Sequence, residues 1–211
     1  MNQEAQDLFA QGQRETAIVK LTQLLSAAPN NVDLLVQLAT MLIQVTDLTQ
    51  ARQLLQRAAV LAPKRADITY NRAIIAHQLQ QNDQAIALLT TILHSEYARE
   101  ASYMLAVIYF EQADLPRATV FALTAVEDKN AGFTENLLLA QIFAKQQLWT
   151  QALPYAQQAL KLEPDNPDIA FTAGAVLLNT QQLEAGTQLL QQAAKVAPKK
   201  YGDAVKLILA E

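Results

Sequence analysis

A small residue returns through this chain at a nearly constant interval: Ala17, Ala51, Ala85, Ala118 and Ala152, with Gly186 completing the series at steps of 34, 34, 33, 34 and 34 residues. Twelve residues before each stands a second small residue, giving the column Ala5, Ala39, Ala73, Ala106, Ala140 and Gly174. A period of this length specifies an array whose units bury apolar surface mainly against their neighbours, rather than one compact core closed on itself. The chain of 211 residues therefore counts as a single repeat domain.

Two further columns define each unit. Leu24, Ala58, Ile92, Ala125, Ala159 and Ala193 form one, and Pro29, Pro63, Tyr97, Asn130, Pro164 and Pro198 form the other. Two antiparallel helices per repeat explain all four, because Ala or Gly at a crossing point lets helix axes approach while larger residues fill the flanks. The second helix of a pair should stop before its proline, which lacks an N–H and bars the preceding residue from the α region. Turns between the two helices are expected at Gln11-Gly12-Gln13, Thr46-Asp47, Gln81-Asn82-Asp83 and Asp114-Leu115-Pro116.

These columns resemble the tetratricopeptide repeat, whose motif asks for a small residue at position eight, Ala at twenty and twenty-seven, a large residue at twenty-four and Pro at thirty-two. The resemblance covers essentially the whole chain, with repeats at about 1–31, 32–65, 66–98, 99–132, 133–166 and 167–200, and residues 201–211 as a capping helix. It implies an all-α fold, a right-handed superhelical solenoid of antiparallel helix pairs. Repeat two, with Leu38-Ala39, Leu42, Ala51, Leu55, Ala58 and Pro63, follows the motif most closely. Repeat three departs from it: Arg72 stands where Leu is usual, Tyr97 replaces Pro, and one residue is missing. In repeat five Pro154 falls inside the second helix, which the first turn would tolerate if Thr150 were the cap.

Composition narrows the function. Net charge is -4, with the 16 Lys and Arg residues spread along the chain, which argues against nucleic acid as a partner. The absence of cysteine rules out disulfides and thiolate metal sites and is compatible with a reducing compartment. A cytoplasmic location is the expectation, with periplasmic residence or membership of a longer exported chain left open. The longest apolar run, Tyr103 to Phe110, is too short to cross a bilayer, so no membrane insertion is expected. His77 and His94 are the only histidines, and no phosphate-binding glycine loop or metal-ligand spacing is present. Neither an enzyme nor a cofactor or metal is expected.

The resemblance also implies where a ligand would lie: along a concave wall made by the first helix of each repeat. Transferred to this chain, that wall carries Gln37, Tyr70, Asn71, Ile74, His77, Tyr103, Met104, Val107, Phe110, Leu137, Leu138 and Gln141. Its middle is apolar and aromatic, the character of a protein-binding surface, although Val107, Phe110 and Leu138 could equally pack against neighbouring repeats. Asn71 and Gln141 are candidates for bonding a ligand backbone. The lysine–asparagine clamp by which some family members hold a C-terminal carboxylate is missing, since Asp33, Asp67, Glu100 and Asp168 occupy the second position of their repeats. The resulting expectation is an adaptor for an extended peptide or helix of another protein; the alternatives are a homodimer or the repeat portion of a larger protein.

Overall fold

The computed structural model describes residues 2–210 and contains, among them, thirteen helices and no strand. By contacts the chain divides into two compact units, residues 1–101 and 102–211. The first holds α1 (Gln3–Ala10), α2 (Arg14–Ala27), α3 (Val32–Gln44), α4 (Leu48–Leu61), α5 (Ala66–Gln78) and α6 (Asn82–Thr90). Their boundary falls inside α7 (Ala98–Glu111), and the second unit continues with α8 (Leu115–Val126), α9 (Phe133–Lys145), α10 (Trp149–Leu162), α11 (Pro167–Asn179), α12 (Leu183–Val196) and α13 (Pro198–Ile208).

The alanine columns lie where the helices of each pair cross. Ala5, Ala17, Ala39, Ala51, Ala73 and Ala85 in the first unit, and Ala106, Ala118, Ala140 and Ala152 in the second, are fully buried. Large apolar residues fill the space beside them: Leu21, Leu35, Leu55 and Ile68 in one unit, and Leu105, Leu139, Ile142, Ile169 and Leu190 in the other. Each such side chain contributes about 1.5–3 kcal/mol on burial.

Proline ends the second helices as expected. Ala28, Ala62, Glu163 and Ala197 precede Pro29, Pro63, Pro164 and Pro198, and all four adopt φ between -127 and -143 and ψ between 65 and 77. Pro198 also opens α13, so the final helix begins three residues before the expected residue 201.

A second periodicity appears only in the backbone. Gly12, Thr46, Gln80, Ala113, Gln147 and Gln181 all have positive φ, from 58 to 83. Each follows the last turn of a pair's first helix, and the same two bonds recur: Thr46 N–H donates to the Ile43 carbonyl at 3.1 Å and Asp47 N–H to Leu42 at 2.9 Å. This is a Schellman closure, which satisfies carbonyls that the helix end would otherwise leave unpaired. The turn between α5 and α6 consequently falls at Gln80, and Asn82 and Asp83 lie inside α6 rather than in the turn. The same closure at Gln147 starts α10 at Trp149 with Leu148 as its cap. Thr150 is therefore not the cap, and Pro154 sits beyond the first turn.

Helix α6 is shorter than α2, α4, α10 and α12. Thr90 Oγ1 donates back to the Ile86 carbonyl, Thr91 Oγ1 to Leu88 and Ser95 Oγ to Ile92, while Thr91 and Ile92 N–H bond three residues back to Leu88 and Leu89. Hydroxyls that compete for backbone carbonyls, with no proline to set the stop, draw the helix into tighter turns. His94 accordingly lies in this turn and not on a helix.

Candidate functional site

The first helices of the pairs in residues 1–101 wall a groove of about 800 Å³. Phe9 on α1, Val36 and Met41 on α3, Tyr70 and Ile74 on α5, and Tyr97 ahead of α7 give it its apolar lining. The Tyr70 and Tyr97 rings lie 5.4 Å apart at a tilt of 39°, within the contact distance of aromatic pairs. Its volume falls within the range of pockets that hold small molecules or peptide side chains.

One end of the groove is charged. Arg65 bonds Asp67 through Nε at 3.1 Å and Nη2 at 2.5 Å, and reaches Asp33 through Nη1 at 2.5 Å. The Arg65 hydrogen bond holds the Asp33 carboxyl below its usual range, and the two carboxylates raise the guanidinium further still. Burial pushes the Tyr97 hydroxyl up, and the nearby Asp67, Glu100 and Glu96 carboxylates add to the effect. With two acids satisfied by one base, this end carries an excess negative charge.

The amides expected to meet a ligand are engaged within the chain. Gln37 is buried; its Oε1 accepts from Asn2 N–H at 2.7 Å and its Nε2 donates to the Asn2 carbonyl at 2.8 Å. Asn71, also buried, donates to the Asp67 carbonyl at 2.8 Å and accepts from Thr40 Oγ1 at 3.1 Å. His77 is absent from the groove lining and pairs its Nδ1 with Asn82 Oδ1 at 3.0 Å.

In residues 102–211 the expected positions divide. Tyr103, Met104, Val107, Phe110, Leu137 and Gln141 are half-buried, whereas Leu138 is buried at 7% exposure. Burial raises the Tyr103 hydroxyl, with Glu135 adding to the shift. Gln141 Nε2 donates to Thr172 Oγ1 at 3.4 Å, and Thr172 donates in turn to the Asp168 carbonyl at 2.9 Å. The pair matches Thr40 with Asn71: the ninth position of one repeat bonds the sixth of the next.

Phe9, Met41, Arg65 and Tyr97 belong to the groove without having been anticipated there. Tyr97 carried a signal, an aromatic residue in the proline column, whereas Arg65 stands outside the first helix and no motif position marked it. Among the described residues no cluster of three metal-ligating side chains is present, and no helix is long and apolar enough to cross a membrane.

Comparisons with known proteins agree with this architecture. A family model described as tetratricopeptide repeat matches residues 8–59 and 143–210, and a second of the same description matches 36–90 and 70–131. Among curated proteins, sequence comparison finds no match. Similar solved structures include PilW, a widely conserved type IV pilus biogenesis factor, at TM-score 0.80 and 14% identity, covering 98% of this chain and 96% of that one. Pseudomonas aeruginosa pilF follows at 0.71 and 19%, covering 78% and 75%. YrrB, whose structure is described as that of a TPR protein with an unusual peptide-binding site, gives 0.62 and 17%, covering 84% and 92%. At these identities the likeness is one of fold.

Proposed function

The chain belongs to the tetratricopeptide repeat family, and we propose that it is a non-catalytic adaptor that holds an apolar peptide segment of another protein in the groove of α1, α3 and α5. The observation that carries this reading is the groove itself, about 800 Å³ with aromatic walls at Phe9, Tyr70 and Tyr97. Tyr70 and Tyr97 would together present an aromatic surface to an apolar side chain, since rigid aromatic rings lose little conformational freedom on binding. Gln44 on the same wall would bond the ligand backbone. Gln37 and Asn71 would shape the wall through their internal bonds. The half-buried strip Tyr103, Met104, Val107, Phe110, Leu137 and Gln141 would serve as a second apolar contact surface. Peptide binding by a relative of the same fold supports the reading by analogy.

The test compares proteins retained from the native lysate by the unaltered chain and by a Tyr70→Ala, Tyr97→Ala variant. Loss of a specific retained protein, with helicity and melting unchanged, supports the groove; equal retention by both rejects it.

A second reading, self-association, is favoured by one observation. Leu207 on α13 is 68% exposed and Leu209 beyond it 37%, next to a cavity of about 560 Å³ lined by Ala194, Pro198 and Val205. Sedimentation across a concentration series tests it, and a monomer throughout would remove it.

A further inference from the structure

We propose a second binding site, on the face of α5 roughly opposite the groove, for a peptide segment that presents an apolar side chain beside one or two carboxylates. A cavity of about 380 Å³ lies between α4, α5 and α6, with Ile75 and Ala76 at its base, Val60 beside them, and Arg52 and Arg72 on its rim. By the period of the helix, Arg72, Ile75 and Ala76 point away from Tyr70 and Ile74, so this cavity and the groove are separate.

The cavity traces to one substitution in the repeat pattern. At the seventh position Leu38, Leu105, Leu139 and Ala173 are buried, with exposures of 3%, 0%, 0% and 1%, while Glu4 of repeat one is exposed and paired with Lys20. Arg72 takes that position in repeat three and is exposed. A guanidinium carries too large a desolvation cost to fill the space a leucine would fill, so the side chain turns outward and leaves a recess with a hydrophobic base.

The charges on its rim are uncompensated. Five of the seven arginines are engaged: Arg14 over the Phe9 ring, Arg57 on the Pro29 carbonyl, and Arg65, Arg99 and Arg117 in ion pairs. Among the described residues Arg52 and Arg72 have no such partner, and these two line the same cavity. No acidic residue lines it, and its remaining polar members are glutamines. Two guanidiniums without a counter-charge favour carboxylates, which they can bind through paired N–H donors. The apolar base and Val60, which is 80% exposed, add a seat for a side chain that inorganic phosphate could not use.

Panning a displayed random-peptide library against the chain, with synthetic copies of the enriched sequences then titrated, tests the assignment. Enriched peptides are expected to carry Asp or Glu beside an apolar residue. Their binding should weaken by about tenfold in Arg72→Leu or Arg52→Gln, and should weaken further with added salt. Arg72→Leu introduces the leucine that repeats two, four and five carry there, so it should melt no lower than the unaltered chain. Tyr70→Ala should leave this binding unchanged, which separates the site from the groove. Failure to enrich acidic peptides, or equal binding to the Arg72→Leu variant, overturns the proposal. Self-association of the unaltered chain in sedimentation that Arg72→Leu abolishes would assign the occupant to a second copy and overturn it as well.

Discussion

Gly174 and Gly186 face each other where α11 and α12 cross: a Cβ on Gly174 would lie 3.0 Å from the Gly186 carbonyl oxygen, and one on Gly186 would lie 2.9 Å from that of Gly174. The other five repeats place alanine at both positions. Repeat six has brought its helices closer than a methyl group permits. Gly174→Ala should lower stability by about 1–3 kcal/mol through overpacking, because the obstructing atoms include backbone that cannot yield. Thermal unfolding measures this, and an unchanged or higher Tm would contradict it.

The left-handed turn column predicts opposite outcomes for opposite exchanges. Ala113 holds φ 58 and Gly12 holds φ 83 at equivalent places. Ala113→Gly should stabilise by about 0.5–1 kcal/mol, since glycine reaches this region without the steric penalty of a Cβ. Gly12→Ala should destabilise by a similar amount. Denaturant midpoints of both variants check the pair, and shifts of the same sign would refute the account.

Pro154 lies inside α10 and is exposed. It offers no N–H to the Thr150 carbonyl one turn earlier. Pro154→Ala should restore that bond and raise stability by about 1–2 kcal/mol, less than the full cost of an interior proline because the surrounding packing already accommodates the ring. A lower Tm would show that the packing depends on the proline ring itself.

Acid should loosen α13 through Asp168. Its carboxylate accepts from Lys200 Nζ at 2.8 Å and Tyr201 Oη at 2.8 Å, and the Tyr201 ring stacks on Phe171 at 4.4 Å. The Lys200 hydrogen bond is the main reason the Asp168 pKa lies below the ordinary 3.8, with Tyr201 assisting. A depressed carboxylate contributes stability in full above its unfolded value and loses it as pH falls through the folded value. The contribution should therefore be complete at neutral pH and fade below about pH 4. Both partners are substantially exposed, which limits Asp168→Asn to a loss of about 1 kcal/mol at pH 7. Melting curves from neutral to acid pH should converge for the variant and the unaltered chain; a constant gap would exclude the mechanism.

The architecture was legible because small residues at helix crossings cannot be exchanged freely: Ala5, Ala39, Ala73, Ala106 and Ala140 announce both the period and the pairing. The left-handed turns were less visible. Only Gly12 advertises its conformation, while Thr46, Gln80, Ala113, Gln147 and Gln181 adopt it because two backbone hydrogen bonds outweigh the steric cost. At the candidate site, Tyr70 and Ile74 were readable from their positions in the repeat. The engagement of Gln37 and Asn71 was not, since an amide at an inner position reads alike whether it meets a ligand or its own chain. The partner of Gln37 is the Asn2 backbone, 35 residues away and carrying no side-chain signal.

Two polar contacts between successive first helices, Thr40 with Asn71 and Gln141 with Thr172, make the order of the repeats part of the message. Excising residues 32–65 would bring the position of Gln6 opposite Asn71, one hydrogen-bonding group for another. Excising 133–166 would instead set Val107 against Thr172, hydrocarbon against hydroxyl. Modules that look interchangeable by their alanines are thus keyed at their inner edges, and the array can shorten or duplicate without penalty only at joints where the keys match.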